Sequence, residues 1–225
     1  MAWRSHGKTN LELVNNLEKN GIIKSARVKQ AMTSIDRADF ISISPYDDRP
    51  QGISCNATIS APHMHAEALE ALEPKLNENA KVLDVGSGSG YLTACFAKMV
   101  GVGGKAVGIE HMGELVKKSI ENIRKSNSDL LDSGRLEIYE GDGRRGFLPE
   151  SPYDAIHVGA AAPTLPTELI RQLKVGGRII VPVGTTSQEF LQIDRISETE
   201  TKMTKLLDVI YVPLTDKTYQ LNRFD

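Results

Sequence analysis

The fold is decided by the stretch Val82-Leu83-Asp84-Val85-Gly86-Ser87-Gly88-Ser89-Gly90. Its first four residues are typical of a short buried strand, and the alternating glycines predict a tight loop. A helix is predicted next, with Leu92, Phe96 and Met99 on its inner face. At such a strand-to-helix turn the backbone can approach a nucleotide-like ligand closely and point free N–H groups at an anion. The alternative is that the glycines only permit tight packing.

The rest of the chain continues the alternation of strands and helices. Further strands are predicted at 106–110, 136–140, 155–158 and 178–183, with helices at 114–126 and 166–173. This order indicates a doubly wound α/β fold, in which a mostly parallel sheet carries helices on both faces and binds its ligand at the carboxyl ends of the strands. Two β-rich runs, 190–196 and 208–214, then follow without an obvious helix between them. They predict antiparallel strands at the end of the sheet.

The residues before the glycine loop predict a helical N-terminal cap. Thr9 and Glu12 have capping-box spacing at the start of a first helix, and a second amphipathic helix begins near Val28. A third helix follows Ala61-Pro62, which places Ser60 near a helix N-terminus. We therefore expect one domain over 1–225, with a cap at 1–78, a ligand-binding core at 79–183 and C-terminal strands at 184–225.

Composition excludes several classes of protein. The chain has 225 residues, of which 40% are hydrophobic and 25% charged, as in an ordinary soluble domain. Its formal charge of -2 provides no general attraction to nucleic acid or to an anionic membrane. We see no secretory signal, membrane span or oligomerisation signal, and Cys55 and Cys95 suit free thiols in a reducing compartment. These features predict a cytosolic monomer.

Polar residues at strand ends narrow the choice of ligand. A dinucleotide fingerprint requires glycine where Tyr91 stands, and a phosphate-binding Walker loop requires Lys-Ser or Lys-Thr there. Glu110 ends the second strand of the core, where its carboxylate could accept hydrogen bonds from both ribose hydroxyls, and Asp142 could accept one from an adenine amine. Singly, each acid could be solvated or could cap a helix. Together with the loop they predict an adenosine site that lacks a phosphate clamp.

Several segments of the chain resemble the motifs of known enzyme families. The segments 82–90, 141–143, 153–156 and 174–178, together with Glu110, resemble the ordered motifs of class I S-adenosylmethionine-dependent methyltransferases. The segments 57–66, 153–163 and 209–216 resemble the signatures of protein-L-isoaspartate (D-aspartate) O-methyltransferases. This second likeness runs through nearly the whole chain, from Ala2-Trp3 onward.

The resemblance implies a reaction and a site. Members of the family transfer a methyl group from S-adenosylmethionine, which leaves as S-adenosylhomocysteine, to the α-carboxylate of L-isoaspartyl residues and more slowly to D-aspartyl side chains. The ester then forms a succinimide that can reopen as normal aspartate, which repairs age-damaged proteins and peptides. Ser60 is implied as the catalytic residue, and Val212, Pro213 and Leu214 as part of an extended peptide groove whose strand edge offers main-chain hydrogen bonds. The implied cofactor-binding residues are Ala57, Thr58, Ile59, Ser60, His65, Asp84, Gly86, Ser87, Gly88, Ser89, Glu110, His111, Asp142, Gly143, Thr215 and Gln220.

The implied chemistry needs no general base, because a carboxylate with a pKa near 4 is already ionised at neutral pH. Alignment and desolvation of the carboxylate should dominate the rate. The Ser60 hydroxyl could orient the acceptor, and the helix that follows could add free N–H groups and a favourable dipole. The plain alternative is that Ser60 is only an N-cap.

No metal is expected. His63 and His65 are two residues apart on a predicted helix and so point roughly 200° away from each other. His65 and His111 could equally be solvated residues. Thr215 and Gln220 could be ordinary polar residues.

Two rival hypotheses remain. One is a class I methyltransferase of a small-molecule acid or of nucleic acid. The segment 159–163 lacks the Asp/Asn-Pro-Pro-aromatic motif of base N-methylation, which disfavours nucleic acid. The other is a non-catalytic binder of the cofactor or of damaged carboxylates, which the intact segment Thr58 to Ser60 argues against.

Overall fold

The structure is a computed structural model and describes residues 5–222. The likeness at Ala2-Trp3 therefore lies outside the described residues. Helices and strands alternate through the core. The helices are α1 Asn10–Lys19, α2 Ala26–Ser34, α3 Pro62–Leu72, α4 Tyr91–Met99, α5 Gly113–Arg124, α6 Ser128–Asp132, α7 Thr167–Arg171 and α8 Lys217–Leu221. The strands are β1 Gln51–Gly52, β2 Thr58–Ile59, β3 Lys81–Val85, β4 Lys105–Glu110, β5 Leu136–Glu140, β6 Tyr153–Val158, β7 Leu173–Gly184, β8 Gln188–Arg195 and β9 Thr201–Val209.

Seven strands form one sheet in the order β5-β4-β3-β6-β7-β8-β9. The strands from β5 to β7 run parallel, whereas β8 and β9 are antiparallel additions at one edge. The predicted fold class, including the antiparallel C-terminal strands, is confirmed. Strand order reverses between β3 and β6, and the carboxyl ends of strands at such a reversal leave a crevice.

Alternating side chains of the strands separate two hydrophobic cores. On β3, Val82 packs into the core beneath α1 to α4, and Leu83 and Val85 pack into the core on the opposite face. All three side chains are fully buried. Because successive side chains of a strand point to opposite faces, Asp84 lies on the same face as Val82. This places a carboxylate beneath the N-terminal helices.

The N-terminal cap forms largely as predicted. Thr9 is the N-cap of α1, and its side chain accepts a hydrogen bond from the Glu12 backbone N–H. The Glu12 carboxylate accepts from Lys8 N instead of completing the capping box. The cap also contains a short antiparallel pair, β1 with β2, that was not predicted. That pair brings the segment before α3 to the crevice.

Three predicted boundaries were wrong. The run 208–214 is not a strand, since β9 covers Thr201–Val209 and the later residues make one isolated bridge, between Pro213 and Ala161. The start of β9 was not predicted, because β9 is a mostly exposed edge strand and has no alternation of apolar residues. β7 begins at Leu173, which ends α7 earlier than predicted, and it runs through a register irregularity near Gly176-Gly177 that resembles a turn in sequence.

Within the described residues, no helix is both long and apolar enough to cross a membrane.

Candidate active site

The crevice at the strand reversal consists of two connected hollows. Both are open to solvent; the larger takes in about 570 Å³, part of it open solvent, and is bordered by Glu110, His111 and Gly143. The smaller, of about 340 Å³, is bordered by Ser60, His65 and other residues beneath α3. Four residues line both hollows, so the two form one continuous cleft: Thr58, Gly86, Gly88 and Gly159.

The glycine loop forms the floor of this cleft. Gly86, Gly88 and Gly90 have φ values of +75°, +51° and +85°, which explains why glycine recurs at alternate positions. A Cβ built on Gly86 would meet no atom within 4 Å, because it would project into open space. The expectation that the loop's free N–H groups face an anion is wrong for part of the loop. Gly86 N and Ser87 N donate to Ile109 O at 2.9 and 3.2 Å.

Glu110 ends β4 at the rim of the larger hollow. Its side chain is only 6% exposed, and its two carboxylate oxygens accept hydrogen bonds from Gly88 N at 3.1 Å and Met112 N at 3.0 Å. Each carboxylate oxygen has further acceptor capacity. Glu110 therefore holds the glycine loop in place and can still accept from hydroxyl groups in the hollow.

Asp142 and Gly143 follow β5. Gly143 borders the larger hollow, whereas the Asp142 side chain lies beside it and caps a short 3₁₀ turn. Arg144 binds both oxygens of Asp142, and this hydrogen bonding lowers the pKa of the carboxyl group. The predicted contact of Asp142 with adenine stays a prediction, since Asp142 does not line the hollow.

A buried hydrogen-bonded pair lies beneath the smaller hollow. Asp84 on β3 and His157 on β6 are register partners, and Asp84 Oδ1 lies 2.7 Å from His157 Nδ1. The Thr93 hydroxyl of α4 donates to Asp84 Oδ2 at 2.5 Å. Both Asp84 and His157 are at most 5% exposed. This network fixes the two side chains at the border of the hollow, where Ser87 Oγ is buried without a partner among the described residues.

Ser60 is not the N-cap of α3, so the plain alternative for this residue is wrong. Ala61 is the N-cap, and it makes no side-chain capping bond. The free N–H groups expected from the start of this helix are also missing from its first two positions. Pro62 has no N–H, and His63 N donates to the buried Asp48 carboxylate at 2.9 Å. The Ser60 hydroxyl instead lies near the hydroxyl of Tyr211, and burial raises the pKa of this phenol.

His65 is held by a buried arginine. It is 7% exposed, its ring lies 5.0 Å from the Tyr91 ring, and its Nδ1 is 3.2 Å from Arg37 Nη1. Burial, followed by the charge of Arg37, lowers the pKa of His65 well below its ordinary value. His65 is therefore neutral at physiological pH.

The C-terminal helix closes one side of the larger hollow. Gln220 Oε1 lies 2.7 Å from His111 Nε2, and Gln220 Nε2 donates to Cys55 O at 2.8 Å. The Asn56 side chain adds hydrogen bonds to the backbone of Gln220 and Leu221. These contacts tie α8 to the segment that precedes α3.

The remaining predicted residues fall along the same cleft. Ala57, Thr215 and the segment 212–214 line the larger hollow, and Ile59 and Ser89 line the smaller one. The strand edge expected at 212–214 is already occupied on one side. Ala161 N donates to Val212 O and Leu214 N donates to Ala161 O, both at 2.8 Å. A peptide could therefore pair only with the opposite edge of this segment.

Sequence reasoning missed His157, which lines the smaller hollow, and it missed Arg37 and Tyr211, which contact Ser60 from behind the hollow. His157 could have been recognised, because it stands near the carboxyl end of a predicted strand beside Asp84. Arg37 and Tyr211 reach the site only through tertiary contacts. Across residues 5–222, no group of three or more His, Cys, Asp or Glu side chains is placed to hold a metal ion.

Comparison with known proteins agrees with this geometry. Residues 8–219 match the family profile "Protein-L-isoaspartate(D-aspartate) O-methyltransferase (PCMT)". A Caenorhabditis elegans protein-L-isoaspartate O-methyltransferase is 54% identical over 99% of this chain and 100% of its own, and an Arabidopsis thaliana protein of the same name is 49% identical over 94% of each. A Plasmodium falciparum structure assigned to protein-L-isoaspartate O-methyltransferases, in complex with S-adenosyl-L-homocysteine, superposes with a TM-score of 0.88 at 35% identity, covering 93% of this chain and 99% of that one. The chain therefore belongs to the protein-L-isoaspartate (D-aspartate) O-methyltransferase family.

Proposed function

We propose that this protein transfers a methyl group from S-adenosylmethionine to the free α-carboxylate of L-isoaspartyl residues, and more slowly to D-aspartyl side chains, in damaged proteins and peptides. The methyl ester then leads to a succinimide and allows repair. The relatives' names and the Plasmodium falciparum complex support this proposal.

One observation carries it: the cleft has two hollows that meet at four shared residues. The larger hollow suits an adenosine, because Glu110 offers acceptor oxygens and Gly86 leaves space that a side chain would fill. The smaller hollow suits the methionine part and the acceptor, because it contains Asp84 and Ser60. Such an arrangement would let two ligands meet at the boundary near Thr58.

When bound, S-adenosylmethionine supplies an electrophilic methyl group on a positively charged sulfur. The protein's own residues have to place a carboxylate in line with that methyl group and remove its water. Ser60 offers the acceptor a hydroxyl hydrogen bond, and the neutral ring of His65 borders the same hollow. The acceptor carboxylate is already ionised, so these residues orient it and need not deprotonate it.

The proposal is tested with methyl-labelled S-adenosylmethionine and two peptides that differ only in a normal or an isoaspartyl linkage. We expect base-labile label on the isoaspartyl peptide alone. Label on both peptides alike would indicate a methyltransferase without this specificity. Label on neither, with retained binding of S-adenosylhomocysteine, would indicate a non-catalytic binder.

A further inference from the structure

Arg37 is the most unusual charged residue beside the cleft. Its side chain is completely buried, and it forms an ion pair with no carboxylate of the described residues. Burying a cation without a counter-ion lowers the stability of the folded protein, so the presence of Arg37 here requires an explanation. Burial lowers the pKa of Arg37 to about 10, which still leaves the guanidinium charged at neutral pH.

The partners of Arg37 are the residues that border the smaller hollow. Nη2 donates to the Ser60 carbonyl at 2.9 Å, and Nη1 lies 3.2 Å from His65 Nδ1. The guanidinium also lies over the Tyr91 ring, 5.4 Å from its centre. The nearby Asp48 carboxylate is bonded to His63 at 2.7 Å instead. The two terminal nitrogens of the Arg37 guanidinium therefore contact residues of the site and form no structural ion pair with any described residue.

The contact with His65 determines the tautomer of that histidine. A guanidinium has only N–H donors, so Nδ1 of His65 must be the acceptor. In a neutral imidazole the proton then resides on Nε2. Since His65 lines the smaller hollow, its Nε2–H is the polar group that it can offer there.

We propose that Arg37 is a positioning residue for the methyl acceptor: it holds Ser60 through its carbonyl and fixes His65 in the tautomer that presents an N–H donor to the acceptor carboxylate. This inference rests on the proposed function. It also accounts for the start of α3, where Asp48 already occupies the first helical N–H. The buried guanidinium then supplies the positive potential that the helix terminus no longer offers to an anion.

The tautomer can be tested without any activity. Two-bond ¹H–¹⁵N spectra distinguish the tautomers of the five histidines, and His65 is assigned by its loss in His65→Gln. We expect the Nε2–H form of His65 and a pKa for this residue below the ordinary value of a histidine. Arg37→Gln should weaken the tautomer preference and let His65 protonate at a higher pH. The other groups near the ring, His63, His157 and Tyr91, are unchanged in this variant, so the shift reports the loss of Arg37. A wild-type His65 protonated on Nδ1 would overturn the proposal.

Kinetics provide the second readout. Arg37→Gln should raise the KM for an isoaspartyl peptide at least about tenfold and change kcat by less than about threefold, because the charge and the His65 N–H donor that it loses bind the acceptor equally before and during methyl transfer. Arg37→Lys keeps the charge and should recover most of the KM. The matched control is Arg27→Gln, since Arg27 binds Glu73 at 2.7 Å and Met99 O at 2.9 Å away from the cleft. It should leave KM and the His65 signals unchanged.

The outcomes separate the inference from the function. A wild type that methylates no peptide counts against the proposed function, while the spectra still decide whether Arg37 fixes His65. An active wild type with unchanged KM and unchanged tautomer in Arg37→Gln counts against Arg37 alone. Should Arg37→Gln fail to fold, the wild-type tautomer and Arg37→Lys decide: a KM within about threefold of the wild type with the Nε2–H form retained would support the proposal, and a KM at least about tenfold higher would count against it.

Discussion

Replacing Glu110 by Ala tests the cofactor side of the cleft. If the two ribose hydroxyls donate to the Glu110 carboxylate, the variant loses two hydrogen bonds to a charged group, each contributing about 1.5 to 3 kcal/mol. The lower values sum to about 3 kcal/mol, or a roughly 100-fold higher Kd. The free energy of unfolding should also fall by about 2 kcal/mol, because the backbone N–H groups of Gly88 and Met112 lose their acceptor.

Isothermal titration with S-adenosylhomocysteine measures the Kd, and urea denaturation measures the stability. Glu140 is the matched control, because it is the register partner of Glu110 at the end of β5 but forms only an exposed ion pair with Lys217. Glu140→Ala should change the Kd by less than about threefold, since exposed ion pairs contribute little. A Glu110→Ala protein that loses stability but binds with wild-type affinity would refute the reasoning, because Glu110 would then only hold the loop.

Three further variants probe other parts of the cleft. Ser60→Ala should keep the affinity for S-adenosylhomocysteine and lower kcat by about 10- to 100-fold, from the loss of one orienting hydrogen bond; unchanged turnover would remove Ser60 from the mechanism. Gln220→Ala should speed dissociation of S-adenosylhomocysteine by about tenfold in stopped-flow measurements, because its bonds to His111 and Cys55 close the larger hollow; an unchanged rate would contradict this role. Because the pKa of His65 is lowered on folding, the unfolded chain takes up the proton first, so the stability should fall as pH drops below about 6.5, by up to about 1.4 kcal/mol per pH unit. Denaturation of His65→Gln should show a smaller slope by that amount, and equal slopes would contradict the shift.

Local patterns were sufficient for the core of the fold. Burial requires apolar residues in β3, and positive φ values favour glycine in the loop after it, so these residue types predict the local structure from the sequence alone. The position of Glu110 was also predictable, since it ends the strand beside β3 and the carboxyl ends of parallel strands lie at one edge of the sheet. The boundary of β9 was not predictable, because an exposed edge strand needs no apolar alternation.

The polar environment of the acceptor depends on contacts between residues far apart in the chain. Asp48 caps α3 from fifteen positions upstream, and no local pattern marks it as buried. Arg37 reads as a surface residue in sequence because charged residues are usually exposed. Its burial follows from the packing of the N-terminal helices over Tyr91, a tertiary effect.

These contacts suggest how the proposed site could attract a carboxylate without binding it too tightly to react. A carboxylate that reacts with a cationic methyl donor loses its charge, so groups that stabilise the anion strongly would also slow the reaction. The N-terminus of α3 would be such a group, but Asp48 and Pro62 withdraw its first N–H groups. In the proposed arrangement Arg37 keeps its own donors on Ser60 and His65, so it acts on the acceptor through those two residues and through its charge. The proposed site would thus attract an anion from a distance and bond it directly only through Ser60 and His65, whereas a site built for tight anion binding would also use the free N–H groups of the helix terminus.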